Sequence, residues 1–110
     1  MSGAQLDGAV LSRVDLREAN LRGAVLRDAH LDEADLRDAW LGGAFLIGAS
    51  LRAADLCGAY LRLARLDAAD LSDANLEGTE GVTRLQLDGA YRNARTRLPD
   101  ALTGADNAER

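Results

Sequence analysis

"NLRGAVLRDAHLDEADLRDAWLGGAFL", residues 20–46, carries leucine at 21, 26, 31, 36, 41 and 46. A spacing of five suits neither regular element. On an α-helix, five steps of about 100° leave successive leucines about 140° apart, so they smear around the cylinder. On a strand five is odd, and successive leucines point to opposite faces. Outward from this stretch the leucine series runs from Leu6 to Leu76 without a miss. Alanine sits two places before each leucine from Ala4 to Ala74, broken only by Val14. A chain that turns a corner every five residues sends all of these side chains toward one axis, which makes it a solenoid. Gly8, Gly23, Gly43, Gly48, Gly58 and Gly78 each follow a leucine by two places, where a tight turn needs backbone freedom. A helical array would lose about 1 kcal/mol at each of them.

"ADLRDAWLGGAFL" (34–46) and "AADLSDANLEGTE" (68–80) resemble the pentapeptide repeat family, whose unit is A(D/N)LXX with leucine at its centre. The resemblance covers residues 4 to about 80 in fifteen consecutive units. It implies an all-β fold, a right-handed four-sided parallel β-helix of about four coils with four repeats in each. With neighbouring strands about 4.8 Å apart, the repeats would build a rod about 19 Å long. Stacked leucines would fill its middle, and the alanines would sit where two walls come too close for anything larger.

The rhythm stops at Thr79, Glu80 and Gly81. In "GVTRLQLDGAYRNARTRLPDAL", Leu87, Ala90, Tyr91, Ala94 and Leu98 fall at helical spacing. Thr83 with Gln86 reads as a capping box, and Val82 with Leu87 as a hydrophobic staple. These predict a helix from about Arg84 to Ala94 that covers the open last coil. The resulting boundaries are 1–81 for the repeats, 82–98 for the capping helix and 99–110 for a tail that frays from Thr103 on.

Composition narrows the functional classes. The 110 residues carry a net charge of −5, and all thirteen basic residues are arginine without a polybasic run. Direct nucleic-acid binding and an anionic membrane surface are therefore not indicated. Cys57 is the single cysteine, which excludes an internal disulfide and fits a reducing compartment. The first fifteen residues lack a charged head followed by an apolar run. The longest charge-free stretch, Ala39 to Leu51, is thirteen residues, short of the roughly 20 a spanning helix needs. The expected location is the cytoplasm.

Function must be read from the residues flanking each leucine, which face outward. Positions twenty apart stack, so Asp15, Asp35 and Asp55 form an acidic column above Asn75, beside Arg17, Arg37, Cys57 and Glu77. Such a column could attract a cation or imitate a phosphate backbone, but an Asp or Asn before leucine also bonds locally to backbone. The resemblance adds that some pentapeptide repeat proteins bind type II topoisomerases such as DNA gyrase by imitating DNA. A 19 Å rod of B-DNA character would need roughly 11 negative charges. Residues 1–80 hold fourteen acids and eight arginines, a net of −6 with both signs interleaved.

Another wall departs from the Asp/Asn preference. Trp40 and Tyr60 should stack on one face, with Val25, Phe45 and Ile47 on the next, around the corner carrying Gly43. A clustered apolar and aromatic surface on a rod is a partner face or a homodimer seam. His30, Ser50 and Asp70 should also share a column, but a convex wall offers no pocket to exclude water or hold an oxyanion. No phosphate loop and no His/Cys metal spacing is present in the sequence. The expectation is a non-enzymatic interaction or structural module without catalytic residues, metal or cofactor. Its partner is a protein, with a second copy of the chain as the simplest choice and DNA gyrase as the alternative.

Overall fold

The computed structural model describes residues 2–100 and 102, so the expected fraying of 103–110 lies outside the described residues. Every repeat turns in the same way. The carbonyl of its leucine accepts from the N–H of the alanine three places on, as in Ala44 to Leu41 and Ala49 to Leu46, both 3.0 Å. The third residue of each turn is left-handed, with φ of +68° at Gly43 and +71° at Gly48. One left-handed residue in that place marks a type II turn, which glycine enters without steric cost. The slot stays left-handed where no glycine occupies it, from Arg13 (φ +64°) to Asp73 (φ +63°). Each such residue costs about 1 kcal/mol, so the pairing between coils imposes the turn and glycine only eases it.

Pairing joins residues twenty apart. Leu46 N–H donates to the Arg65 carbonyl (2.8 Å) and Phe45 N–H to the Ala24 carbonyl (2.9 Å). Parallel bridges link Val25 to Phe45, Asp35 to Asp55 and Trp40 to Tyr60. One coil therefore contains twenty residues and four turns. The bridges are isolated, because the turns leave only one paired residue between them. The ladder is that of a parallel β-helix, while strands of consecutive paired residues do not form among the described residues.

The axis is filled as the spacing requires. Every repeat leucine from Leu21 to Leu76 is 1% exposed or less, and the alanines from Ala24 to Ala74 are equally enclosed. Leu6, Leu11, Val14 and Ala19 in the first coil are only partly buried. Val14, the one break in the alanine series, lies in this less crowded layer.

The C-terminal segment differs from expectation. Helix α1 spans Arg84–Asp88, five residues, and stops at Gly89. Thr83 and Gln86 do form the capping box: Thr83 Oγ1 accepts from Gln86 N–H (3.2 Å) and Gln86 Oε1 accepts from Thr83 N–H (2.6 Å). The Gln86 amide also donates to the carbonyls of Leu61 (3.0 Å) and Ala64 (2.8 Å), in place of a next coil. Leu87 is fully buried against the core and Val82 packs beside it. Tyr91, assigned above to the helix, is instead a ladder residue. Its N–H donates to Ala69 (2.8 Å) and its carbonyl accepts from Leu71 (2.7 Å). Arg97 pairs in the same way with Asn75. The reason is energetic: a few turns of exposed helix are marginal, whereas unpaired backbone groups of the last coil offer Tyr91 and Arg97 ready partners.

Candidate interaction surface

The aromatic wall takes its geometry from the bridge column Asn20, Trp40, Tyr60, Glu80. The Trp40 and Tyr60 rings lie 5.9 Å apart, inclined by 51°, within the range where aromatic pairs attract. The Arg22 guanidinium sits 4.9 Å from the Trp40 ring centre, a cation–π contact. Tyr60 folds over Gly42, where an added Cβ would lie 3.3 Å from its Cε2. On the adjoining wall Val25 pairs with Phe45, and Ile47 follows Leu46. Trp40 is 45% and Phe45 39% exposed, while Val25, Ile47 and Tyr60 are half-buried. The structure thus brings together the two columns expected from the register, with the aromatic pair ordered by its own contacts.

The acidic column also forms, but as an ion-pair ladder. Asp15, Asp35, Asp55 and Asn75 stack by parallel bridges. Each accepts from the backbone N–H two places on, at 3.1 Å for Arg17 and Cys57, 3.3 Å for Arg37 and 3.0 Å for Glu77. This local turn is what Asp and Asn before a repeat leucine do. Arg17 grips Asp15 through both nitrogens (2.9 and 2.7 Å), and Arg37 grips Asp35 likewise (2.8 and 2.6 Å). Arg17 also reaches Asp35 at 3.7 Å and Arg37 reaches Asp55 at 3.9 Å. Signs therefore alternate along the wall.

The Arg17 side chain, then its N–H, holds the Asp15 carboxyl at about 2 against the ordinary 3.8. Asp35 is lowered by the Arg37 side chain, partly opposed by burial. A depressed folded-state carboxyl favours the folded chain above about pH 4, and that preference is lost as the pH falls through about 2. Thermal melts between pH 5 and pH 2 should therefore show a falling midpoint whose slope is shallower in Asp15→Asn. Equal slopes would remove the ladder's contribution.

Several exposed apolar residues were not singled out by the register. Leu63 is 71% exposed and occupies the left-handed turn slot with φ +64°. Leu85 is 81% exposed on α1. The signal for Leu63 lay in the sequence, since a large aliphatic residue stands where glycine or a polar residue usually does. Leu85 alternates with buried Leu87 and carried no such mark. Val10 (76%) and Tyr91 (65%) also face outward.

The family model for pentapeptide repeats matches residues 9–46 and 44–80 in eight copies. This chain belongs to the pentapeptide repeat family. It is 34% identical to the solved pentapeptide repeat protein Rfr23 of the cyanobacterium Cyanothece 51142, with a TM-score of 0.79, covering 86% of this chain and 63% of that one. It is 30% identical to a pentapeptide repeat protein of the Arabidopsis thaliana thylakoid lumen, with a TM-score of 0.72 and coverage of 86% and 61%. QnrB1, a plasmid-mediated fluoroquinolone resistance protein, is 21% identical with a TM-score of 0.67, covering 82% of this chain and 41% of that one, a likeness of fold alone. The chain thus spans about three-fifths of the length of the first two. No curated protein matches it in sequence. The pentapeptide repeat neighbours give the twenty-residue ladder its hand, a right-handed β-helix.

On this pentapeptide repeat scaffold the residues with reactive side chains do not converge. His30, Ser50 and Asp70 share a bridge column. Yet the Ser50 hydroxyl donates to Asp32 (2.9 Å), and Asp70 accepts from Arg52 (3.2 Å) and from Ser72 N–H (3.0 Å). Ser50 and Asp70 are thus engaged beside the column, with Asp32 and Arg52 one coil away and with Ser72 two places on, rather than with each other. Cys57 is half-buried, its N–H on Asp55. No grouping of metal-ligating side chains occurs among the described residues, and none of their helices is long and apolar enough to cross a membrane.

Proposed function

We propose that this pentapeptide repeat protein is a non-enzymatic interaction module whose contact face is the wall of Trp40, Tyr60, Val25, Phe45 and Ile47. The observation carrying this reading is that Trp40 and Phe45 stand 45% and 39% exposed on adjoining columns, with the indole already ordered by Arg22 and Tyr60. A rigid aromatic anchor loses little entropy on binding, which is why such residues dominate protein interfaces. A second copy of the chain is the simplest partner, because one apolar patch is complementary to itself across a two-fold axis. In this reading the four-sided rod is closed at its last coil by segment 82–98, supported by the bonds from Gln86 to Leu61 and Ala64 and from Thr96 to Leu71. The lone Cys57 accords with a cytoplasmic setting.

Sedimentation equilibrium tests the reading directly. The wild type should self-associate in the micromolar range and the Trp40→Ser, Phe45→Ser double variant should remain monomeric. Identical monomeric behaviour removes the homodimer. DNA mimicry is the weaker reading because arginines interleave the acidic column. Inhibition of gyrase supercoiling that weakens when Asp15, Asp35 and Asp55 become asparagine would put it first.

A further inference from the structure

Helix α1 leaves a gap in the ladder. Throughout the repeats, each leucine N–H donates to the coil below, as Leu61 does to Glu80 (2.8 Å) and Leu71 to Tyr91 (2.7 Å). From Leu6 to Leu76 the exception is Leu66, whose N–H has no acceptor among the described residues. Leu63 N–H, in a turn slot that donates in the repeats above it, is likewise unpaired. The pairing resumes at Ala68, which donates to Gly89 (2.7 Å). Leu66 is 1% exposed, and buried backbone donors without an acceptor are rare in folded proteins.

The residues that carry both unpaired donors line one cleft of about 700 Å³ between the corner Arg62–Asp67 and α1, which Gly81, Leu85 and Gln86 also line. That volume lies within the range of ligand sites. Leu63 and Leu85, two of the most exposed large apolar residues in the chain, face it. Leu63 adopts a left-handed conformation there, so a strained backbone presents an aliphatic side chain to solvent. Charge adds direction. Arg65 is paired with Asp67 at 3.4 Å, whereas Arg62 has no acidic partner among the described residues.

We propose that this cleft binds an acidic and apolar peptide segment of a partner protein, which fills the missing stretch of ladder. Two donors three residues apart, Leu63 in the left-handed turn slot and Leu66 just past the corner, call for backbone carbonyls at matching separation, which a peptide that follows the corner supplies. Leu63 and Leu85 would take its apolar side chains and Arg62 a carboxylate. The site lies at the last coil and is independent of the aromatic wall.

The probe is a fluorescein-labelled hexapeptide alternating leucine and glutamate, with a leucine–lysine peptide as control. Anisotropy should show the acidic peptide binding at least about tenfold more tightly than the basic one. Arg62→Glu should reverse that order, and Leu85→Ser should weaken binding about tenfold. In ¹⁵N spectra the Leu63 and Leu66 amides should shift, and their hydrogen exchange should slow. Leu63→Gly keeps the outcome separate from misfolding, because it relieves the left-handed strain and should melt no lower than wild type while binding less. No binding at millimolar peptide, equal binding of both peptides, or binding that leaves both amides unmoved would overturn the proposal. Self-association abolished by Leu85→Ser would assign the cleft to a second copy, and amide shifts with laurate but not with peptide would assign it to an apolar small molecule; either result also overturns it.

Discussion

Leu46→Ala is expected to lower stability by about 2–5 kcal/mol, as truncation of a fully enclosed leucine does. Leu46 is 0% exposed, and Ala44 and Ala49 beside it are also at 0%, so nothing small and mobile can collapse into the space. The residue lies in the middle of a column with Leu26 and Leu66, held in register by the bonds of Leu26 to Phe45 and Leu46 to Arg65, both 2.8 Å. Each coil of a solenoid touches only its neighbours, so a void at this level separates the layers above and below it. The matching substitution at Leu6, partly buried in the first coil, should cost less than half as much. Urea titrations followed by Trp40 fluorescence measure both. A midpoint temperature lower by about 8 °C or more should accompany the Leu46 change. Equal small losses at both positions would contradict the axial core.

Gly81→Ala should be nearly as damaging, for a different reason. Gly81 has φ +81°, and an added Cβ would lie 2.7 Å from Arg62 Cβ and 2.9 Å from Arg62 Cα and N. Cα and N belong to the backbone of the last repeat coil and Cβ is fixed to it, so none of the three can swing aside. The left-handed penalty of about 1–2 kcal/mol is therefore joined by an overpacking cost of about 1–3 kcal/mol. Gly43→Ala isolates the first contribution. Gly43 has nearly the same conformation, φ +68°, with nothing within 4 Å of the added atom. Ala53 and Ala68 already occupy the equivalent slot elsewhere, with φ of +59° and +60°. Gly43→Ala should thus cost about 1 kcal/mol, and a Gly81→Ala loss no larger than this would show that the chain can lift away from Arg62.

The parts legible in the sequence are those governed by local spacing. Leucine every five residues with alanine two before it admits one repeating corner, and Gly43 and Gly48 mark where that corner bends. Thr83 and Gln86 were readable as a capping box because both partners lie within one turn. Tyr91 was not readable as a ladder residue, since its helical spacing is local while the carbonyl of Ala69 and the N–H of Leu71 that claim its backbone come from the preceding coil. The columns of Trp40, Tyr60, Phe45 and the aspartates followed from the twenty-residue register. Their surroundings did not: Arg22 lies over Trp40 because of its side-chain path, and Arg17 spans two aspartates for the same reason. The gap at Leu63 and Leu66 had no sequence mark beyond the misplaced leucine, because it arises only once α1 leaves the ladder.

The twenty-residue register underlies the core, the surface columns and the cleft alike, and scalar couplings transmitted across backbone hydrogen bonds in NMR report it without a mutation. Couplings should join Leu46 N–H to the Arg65 carbonyl and Trp40 N–H to the Ala19 carbonyl, partners nineteen and twenty-one residues apart. Couplings from these amides to carbonyls four residues earlier, the helical pattern, would contradict it.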